Sequence, residues 1–320
     1  RDQPGAREGA QPDWVMGDSQ QYNNRSYMTG TGQAKYLEEA KNRARADLAK
    51  TFEVAVNAET QDVQTFSRRS QGEASSEESS LEVTRRIATR TEKIIQGVEI
   101  ADIWQDPESQ TYHVLAVLDR RKAARALRED IKQLDAATQR YQTQARRSDD
   151  LLKKVQLASR ALEAQQERQG LQRTLRVVDS SGRGERPVYN VGRLQADRDE
   201  LMSRITIAPE AEGDHAEALK DAVAGGLAEA GFDVENGNAR YRLKASLNLV
   251  DLGQREGWYW KRGTLEIQLM DRDGSVRGSH QWPIKASAQD PDSATQRVLR
   301  KVNDILAKET RQTIIGFATE

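Results

Sequence analysis

The chain has 320 residues, and its 49 Lys and Arg against 50 Asp and Glu leave a net charge of −1. This length predicts two or three folded units. Charged residues make up 31% and apolar residues 36%, which predicts packed domains together with a solvated, helix-rich part. There is no cysteine, so disulfides, thiolate catalysis and cysteine metal sites are excluded. No stretch approaches the roughly 18 apolar residues of a membrane-spanning helix.

The first eleven residues are polar and contain Pro and Gly, which predicts a flexible tether over 1–11. The sequence begins at Arg1 without a Met. Such a start is typical of a mature secreted protein whose signal has been removed, and equally of a shortened chain. The sequence leaves both alternatives open.

A first folded unit is predicted over 12–120, opening with "PDWV" and a strand in "SYMTGTGQA". Apolar residues then recur every three or four positions, which predicts a helix with one apolar stripe. Most of the stripe is alanine, so the helix can lie close against a sheet. Its members are Ala34, Leu37, Ala40, Ala44 and Leu48.

Two glycines, Gly30 and Gly32, precede this helix at the place where a nucleotide phosphate would sit in an enzyme. A dinucleotide site needs G-x-G-x-x-G, but Lys35 occupies the third glycine position, and the G-K-[ST] of a P-loop is also missing. We therefore predict that the glycines let the strand turn sharply into a closely packed helix and that they bind no phosphate.

Further along this unit, the alternation of Phe52, Val54 and Val56 predicts a strand. The polar segment Ser67–Ser80 predicts a mobile loop. After it, "IIQGVEIADIWQDPESQTYHVLAVLDR" predicts a hairpin with its turn at "DPES". The apolar strand positions of this hairpin are Val98, Ile100, Ile103, Tyr112, Val114, Ala116 and Leu118.

A helical segment is predicted over 121–179, because 121–169 contains neither Gly nor Pro and its apolar residues keep a near-heptad spacing. A single helix of about fifty residues would be about 75 Å long. The cluster Arg146–Asp150 favours instead an antiparallel pair of helices, with Ser148 capping the second. Both arrangements remain open at this point.

A Gly- and Pro-containing linker at 180–192 is the clearest boundary, and a second folded unit follows over 193–320. Its pattern predicts the order strand, helix, four strands, helix, with the helices on one face of the sheet. The sequence thus predicts an α+β fold. It consists of two small αβ domains joined by a long helical segment.

The N-terminal unit resembles the family of LPP-type (twenty-kilodalton) outer-membrane lipoproteins, and also the first domain of the flagellar assembly protein FlgT. The likeness rests on "PDWV", on "GTG" before the alanine-rich helix with Ala40, Ala44, Leu48 and Ala49, and on "YHVLAVLDR". The C-terminal unit is similar, more loosely, to the αβ module of TolB, of the curli secretion lipoprotein CsgG and of the middle domain of FlgT. "ITIAP", "LAEAGFDV" and "LMDRDGSV" carry this second likeness.

The resemblance implies a lipoprotein on the periplasmic side of the outer membrane, with its acylated cysteine directly before Arg1 and no enzymatic activity or cofactor. Envelope proteins or peptidoglycan are the expected partners, nucleic acid is not, and an oligomer is open. We expect a scaffold or assembly factor for a flagellar or secretion structure. The alternatives are a glycan-binding or peptidoglycan-binding module and a subunit of a ring or secretion pore.

Catalytic and metal-binding patterns are weak. His113, His215 and His280 belong to three different predicted elements, and no pair has the spacing of metal ligands. Asp271, Asp273 and Gly274 match only a fragment of a calcium loop and predict a tight hairpin turn instead. No catalytic, cofactor-binding or metal-binding residue is predicted.

The helical segment is basic, with 15 Lys and Arg against 7 Asp and Glu over 120–178, a balance of +8. This charge is typical of a solvated helix face, or of a surface that meets lipid head groups, lipopolysaccharide or an acidic partner. Nucleic acid is disfavoured because Tyr141 is its one aromatic residue. The predicted contacts are Arg120, Arg121, Lys122, Arg125, Arg128, Arg146, Arg147, Lys153 and Lys154.

The stretch "REGWYWKRG" is the second candidate surface. On a strand, Trp258 and Trp260 share one face and Tyr259 lies on the other. The rings either pack across strands or form an exposed platform for a glycan or protein partner. The platform would consist of Arg255, Trp258, Tyr259, Trp260, Lys261 and Arg262.

Overall fold

The computed structural model describes residues 9–71 and 77–319, together with Gly5. It confirms the α+β fold class. The described residues divide into two compact units. The first unit lies within Arg1–Val63, Leu81–Thr138 and Glu163–Tyr189, and the second within Gln64–Ser80, Gln139–Leu162 and Asn190–Glu320. The helical segment predicted to join two domains therefore contributes residues to both units.

The first unit is built around a three-stranded antiparallel sheet with the strand order β1-β3-β2. The predicted hairpin is confirmed as β2 and β3, and "PDWV" forms a short helix whose Trp14 donates a hydrogen bond to Asp102 at 3.0 Å. The elements in chain order are α1 (Asp13–Met16), β1 (Tyr27–Ala34), α2 (Leu37–Gln71), α3 (Glu77–Ile95), β2 (Glu99–Gln105) and β3 (Tyr112–Asp119).

The strand predicted at Phe52–Val56 is wrong, because α2 continues through it. Phe52 lies four residues after Leu48 and completes the buried stripe of the helix, whereas Val54 is 71% exposed. The loop predicted at Ser67–Ser80 is also wrong where the structure describes it. Residues 67–71 belong to α2 and residues 77–80 to α3, while 72–76 lie outside the described residues. Polar residues such as Gln, Glu and Arg are good helix formers, so low apolar content did not mean a loop.

The glycines of "TGTG" lie inside β1, so the prediction that they form the turn into the helix is wrong. The predicted close packing is confirmed. A Cβ on Gly30 would lie 2.6 Å from the Ala44 carbonyl oxygen, and a Cβ on Gly32 would lie 2.3 Å from that of Ala40. These glycines let the α2 backbone touch the strand, and any side chain would force the two apart.

The predicted antiparallel helix pair is confirmed as α4 (Arg120–Arg147) and α5 (Leu151–Val178). The cap of α5 is Asp150, not Ser148, because the Asp150 carboxylate accepts the N–H of Leu152 at 3.0 Å. A coiled coil is not supported. The α5 helix also packs on α3, where a Cβ on Gly170 would lie 2.6 Å from Ile87.

The second unit has the predicted order of strands and helices. Its five-stranded sheet has the order β5-β4-β6-β7-β8, with β4 parallel to β5 and β6 and the other pairs antiparallel. Buried residues of its last two helices and of one sheet face form a single core. Its elements after α5 are α6 (Val191–Ser203), β4 (Thr206–Glu212), α7 (Ala216–Glu229), β5 (Asp233–Val234), β6 (Tyr241–Arg255), β7 (Trp258–Asp271), β8 (Val276–Ala288) and α8 (Pro291–Gly316).

The edge strand β8 is closed to further strand pairing at its C-terminal end. Lys301 donates to the carbonyl oxygen of Lys285, and Arg297 donates to that of Ser287 at 2.7 Å. Alternate residues of a strand direct their backbone groups to the same side, so Pro283 places its missing N–H at this same edge. A capped and proline-bearing edge is a device against strand addition.

Candidate binding surfaces

A polar cavity of about 420 Å³ lies in the first unit, between the turn before β1, the start of α4 and the end of α5. Four arginines line it, and two carboxylates lie beside them. We call this the arginine cleft. Its charged residues are Arg25, Arg120, Arg121, Arg128, Asp119 and Asp179, a formal balance of 4 − 2 = +2.

Arg120 holds the walls of the arginine cleft together. Its backbone N–H donates to the Ser26 carbonyl at 3.0 Å, and its Nε donates to the Tyr27 carbonyl at 3.2 Å. Its Nη1 donates to the carbonyls of Val177 and Val178, both at 2.9 Å, at the end of α5. The three acceptors of the Arg120 side chain are all neutral backbone carbonyl groups. Burial lowers the pKa of Arg120, because its charge is partly removed from water.

Both carboxylates of the cleft already have donors. Asp119 accepts the backbone N–H of Lys122 at 3.0 Å, and so caps α4. Asp179 accepts the backbone N–H of Ser181 at 2.9 Å and Arg128 at 2.7 Å. The Ser181 hydrogen bonds and then the Arg128 charge hold the pKa of Asp179 below its usual value. The acidic side chains are therefore occupied within the wall.

Two arginines of the cleft remain available. Arg25 and Arg121 are both exposed. Neither forms an ion pair with any carboxylate among the side chains that the structure describes. Their guanidinium groups therefore offer donors to a ligand.

The structure brings together only part of the predicted basic set. Arg120, Arg121 and Arg128 line the cleft, whereas Lys122 and Arg125 are exposed on α4 outside its lining. The remaining four residues belong to the second unit. They lie at the end of α4 and the start of α5: Arg146, Arg147, Lys153 and Lys154.

Sequence reasoning missed Arg25. It lies two residues before β1, and β1 pairs along its length with β3, so that Tyr27 is opposite Asp119. That pairing brings Arg25 next to the start of α4. The polar turn before "YMTGTG" was the available signal, but its use required knowing the strand register.

The predicted aromatic platform lies at the hairpin between β6 and β7. Glu256 and Gly257 both have positive φ, 52° and 81°, which is the two-residue turn that suits the twist of a hairpin. Burial alternates along β7 from Gly263 to Leu269, and the same alternation carried back along the strand places Trp258 and Trp260 on the face opposite the core. Trp258 is 40% exposed.

Cations already contact these rings. Lys285 Nζ lies 4.6 Å from the centre of the Trp260 ring, and the Arg297 guanidinium lies 5.9 Å from that of Trp258. We call these four residues the aromatic surface. The other predicted members differ: Arg255 and Arg262 are exposed, Tyr259 is half-buried, and Lys261 pairs with Asp251 at 3.6 Å.

The histidines lie apart from one another along the fold. His113 lies near Trp104 in the first unit, and His280 contacts Trp282 in the second, with ring centres 5.2 and 4.6 Å apart. His215 precedes α7. Among the described residues, no group of three or more His, Asp or Glu side chains is placed to hold a metal ion.

The segment with the calcium-like fragment forms the turn between β7 and β8. The Asp273 carboxylate accepts the N–H of Ser275 at 2.9 Å, and Gly274 has a φ of 89°. The predicted tight turn is therefore present. Within the part of the chain that the structure describes, no helix is both long enough and apolar enough to span a bilayer.

Comparison with known proteins gives a family match over part of the chain. Residues 12–119 match the family model described as LPP20 lipoprotein, which covers about a third of the sequence. This agrees with the resemblance predicted for the N-terminal unit and supports a lipoprotein without assigning it a role. A comparison with curated proteins found no match.

Several solved structures are similar to this chain, including the following three. A minor lipoprotein from Acinetobacter baumannii has 18% identity and a TM-score of 0.30, covering 35% of this chain and 91% of its own. A candidate lipoprotein from Caulobacter crescentus CB15 has 21% identity and a TM-score of 0.26, with coverage of 36% and 87%. A secreted protein from Helicobacter pylori has 12% identity and a TM-score of 0.41, with coverage of 89% and 98%. These scores are too low to transfer a role.

Proposed function

We propose that this chain is a non-enzymatic lipoprotein, anchored in the outer membrane and facing the periplasm, that acts as a scaffold or assembly factor for an envelope structure. The observation that carries the proposal is the match of residues 12–119 to the LPP20 lipoprotein family. Lipid attachment N-terminal to that domain supplies the anchor. The folded units then supply the surfaces that meet partners.

The division of the chain supports a scaffold role. The family match ends at residue 119, and the second unit contains a separate five-stranded sheet. Each unit has its own charged surface, the arginine cleft in the first and the aromatic surface in the second. Two different surfaces on one anchored chain suit a protein that brings partners together.

The anchor is tested on the full gene product expressed in its own cells with radiolabelled palmitate. We expect label on this chain and recovery in the outer-membrane fraction. A variant of the precursor in which the proposed anchor cysteine is replaced by serine is the control, and it should lose both. A chain that takes up no label and is recovered free of membranes would overturn the anchor.

The scaffold role is tested separately by crosslinking in intact cells, followed by purification of this chain. We expect specific envelope proteins to be captured by the anchored protein. If no envelope partner is captured, the scaffold role fails even where the lipid anchor is present. Flagellar or secretion components among the captured proteins would identify the structure that is assembled.

A glycan-binding role is the second candidate, favoured by the exposure of Trp258 at the tip of a hairpin. Against it, Lys285 and Arg297 lie over the two rings and compete with a sugar for them. Binding to purified peptidoglycan tests this role with Trp258→Ala and, as a control for an exposed apolar side chain, Val276→Ala. Loss of binding in Trp258→Ala alone would favour the glycan role.

A ring or pore subunit is the third candidate from the sequence. It depended on the resemblance to FlgT and CsgG, and none of the comparisons reported above supports a likeness to FlgT, TolB or CsgG. Light scattering of the purified chain tests it. A monomer at high protein concentration would exclude a stable ring.

A further inference from the structure

We propose that the arginine cleft of the first unit binds a phosphate group carried by a larger molecule, either a soluble phosphoester or a lipid head group. Arg25 and Arg121 provide the direct contacts, and Arg120 provides the charge at the base. This binding site is independent of the scaffold role. It would remain on this chain even if no envelope partner were found.

The first step is the charge balance of the cleft. Asp119 is engaged by a backbone N–H, and Asp179 by Arg128 and a backbone N–H. Both carboxylates thus already accept hydrogen bonds from groups of the wall, and the lining keeps its formal balance of +2. The cations Arg25 and Arg121 have no such partner among the described side chains. An anion in the cleft meets an excess of positive charge.

The second step is the position of Arg120. Its guanidinium is partly buried and donates to three backbone carbonyls, those of Tyr27, Val177 and Val178. No hydrogen bond of its Nη2 is found with the described residues. Partly desolvated cations are stabilised by an ionised acceptor more than by neutral ones. A phosphate oxygen supplies that acceptor.

The third step is the size of the cavity. At about 420 Å³ the cleft falls within the range of about 300–1,000 Å³ that is typical of small-ligand sites. This is more room than a single inorganic phosphate ion needs. Arginine's planar fork of donors suits a tetrahedral oxyanion. The geometry therefore fits a phosphoester whose organic part extends towards solvent.

The experiment uses the whole chain and two matched double variants. Arg25→Ala with Arg121→Ala removes two cations of the cleft. Lys122→Ala with Arg125→Ala removes two exposed cations of α4 that do not line it. Both pairs lower the net charge equally, and all four side chains are exposed, so we expect both variants to fold. Circular dichroism checks that they do.

Inorganic phosphate is the first probe, titrated by calorimetry. We expect saturable binding that the cleft variant weakens by about tenfold or more, with the control within about twofold of the unmodified chain. Phosphatidylcholine vesicles with and without phosphatidylglycerol are the second probe. Selective binding to the anionic vesicles that phosphate competes away identifies a head group, and phosphate binding without vesicle binding identifies a soluble phosphoester.

Two results would overturn the proposal. One is the absence of saturable phosphate binding by the unmodified chain. The other is an equal loss of binding in both double variants, which would mean that only the overall positive charge of the chain attracts anions.

Discussion

The arginine cleft and the aromatic surface are built from similar residue types but differ in what their cations contact. In the second unit, Lys285 and Arg297 lie over tryptophan rings, and Arg297 also donates to a strand carbonyl. In the first unit, Arg25 and Arg121 have no carboxylate partner among the described side chains. Counting charges and aromatics in the sequence made both surfaces equally good candidates. Among the described residues, Arg25 and Arg121 of the cleft therefore have no ion-pair partner, whereas Lys285 and Arg297 already lie over rings.

The largest expected effect tests the packing of β1 against α2. This packing supports the cleft, because β1 begins two residues after Arg25. In Gly32→Ala the new Cβ would lie 2.3 Å from two α2 backbone atoms, the Ala40 oxygen and the Ala44 nitrogen. We expect a loss of about 3 kcal/mol in the free energy of unfolding in urea, because backbone cannot move aside cheaply. Gly17→Ala has open space around the Cβ and should stay within about 0.5 kcal/mol. Equal stability of the two variants would refute the close packing.

The next effect tests the packing of α7 against α8, the helix that carries Arg297 of the aromatic surface. A Cβ on Gly226 of α7 would lie 2.8 Å from the Leu306 carbonyl oxygen of α8, whereas one on its neighbour Gly225 meets nothing. We expect Gly226→Ala to lose about 2 kcal/mol of unfolding free energy. Gly225→Ala should gain up to about 1 kcal/mol from helix propensity. Thermal unfolding of both variants checks the contrast, and a gain in both would show that α7 and α8 do not touch.

A smaller effect tests whether the rings of the aromatic surface are engaged by cations. In a double-mutant cycle of Trp260→Ala and Lys285→Ala, we expect a coupling of about 0.5–1 kcal/mol in unfolding free energy, since the ammonium lies over the ring. A cycle of Trp260→Ala with Arg255→Ala serves as the control and should show no coupling. Zero coupling in the first cycle would mean that Lys285 does not engage the Trp260 ring, which would then be available to a ligand.

The smallest effect concerns another engaged cation of the second unit, Arg277, which lies 2.5 Å from Asp150. Burial opposes ionisation of Asp150, but the hydrogen bond and charge of Arg277 outweigh it, so the pKa of Asp150 lies below the ordinary value of an aspartate. A lowered folded pKa gives stability that is present above the unfolded pKa and is lost as the pH falls through the folded pKa.

We therefore expect Asp150→Asn, which keeps a helix-capping side chain, to lose about 0.5 kcal/mol of unfolding free energy at neutral pH, since the half-exposed pair is screened. The difference from the unmodified chain should vanish in acid. The neighbouring exposed Asp149→Asn is the control and should show little change at any pH. A difference that persists below the folded pKa would mean that the charge of Asp150 is not its cause.

The sequence predicted those elements whose periodicity admits one interpretation. The hairpin of β2 and β3 and the order of the second unit are confirmed, because their alternation is bounded by turn residues. Phe52, Val54 and Val56 were misassigned to a strand because so short an alternation does not exclude a helix, and Phe52 also follows Leu48 by four residues. The buried position of Phe52 depends on contact with elements far along the chain, which no local pattern reports.

The candidate site was predicted only in part for a related reason. Arg120, Arg121 and Arg128 were identified from the charge of one helix, but Arg25 is brought to them by the pairing of β1 with β3. The pairing of Lys285 with Trp260 was likewise invisible, since it depends on the register of β7 and β8. Whether a cation has a partner therefore depends on residues that the fold brings close to it from distant parts of the sequence.

The measurement that tests the contrast most directly is a phosphate titration of the isotope-labelled whole chain, followed by the NMR shifts of its backbone amides. We predict saturable shifts at Ser26, Arg121 and Ser180, which line or border the arginine cleft, and none at Trp258 or Trp260. Shifts of equal size at the aromatic surface, or no saturable shift at the cleft, would contradict the account.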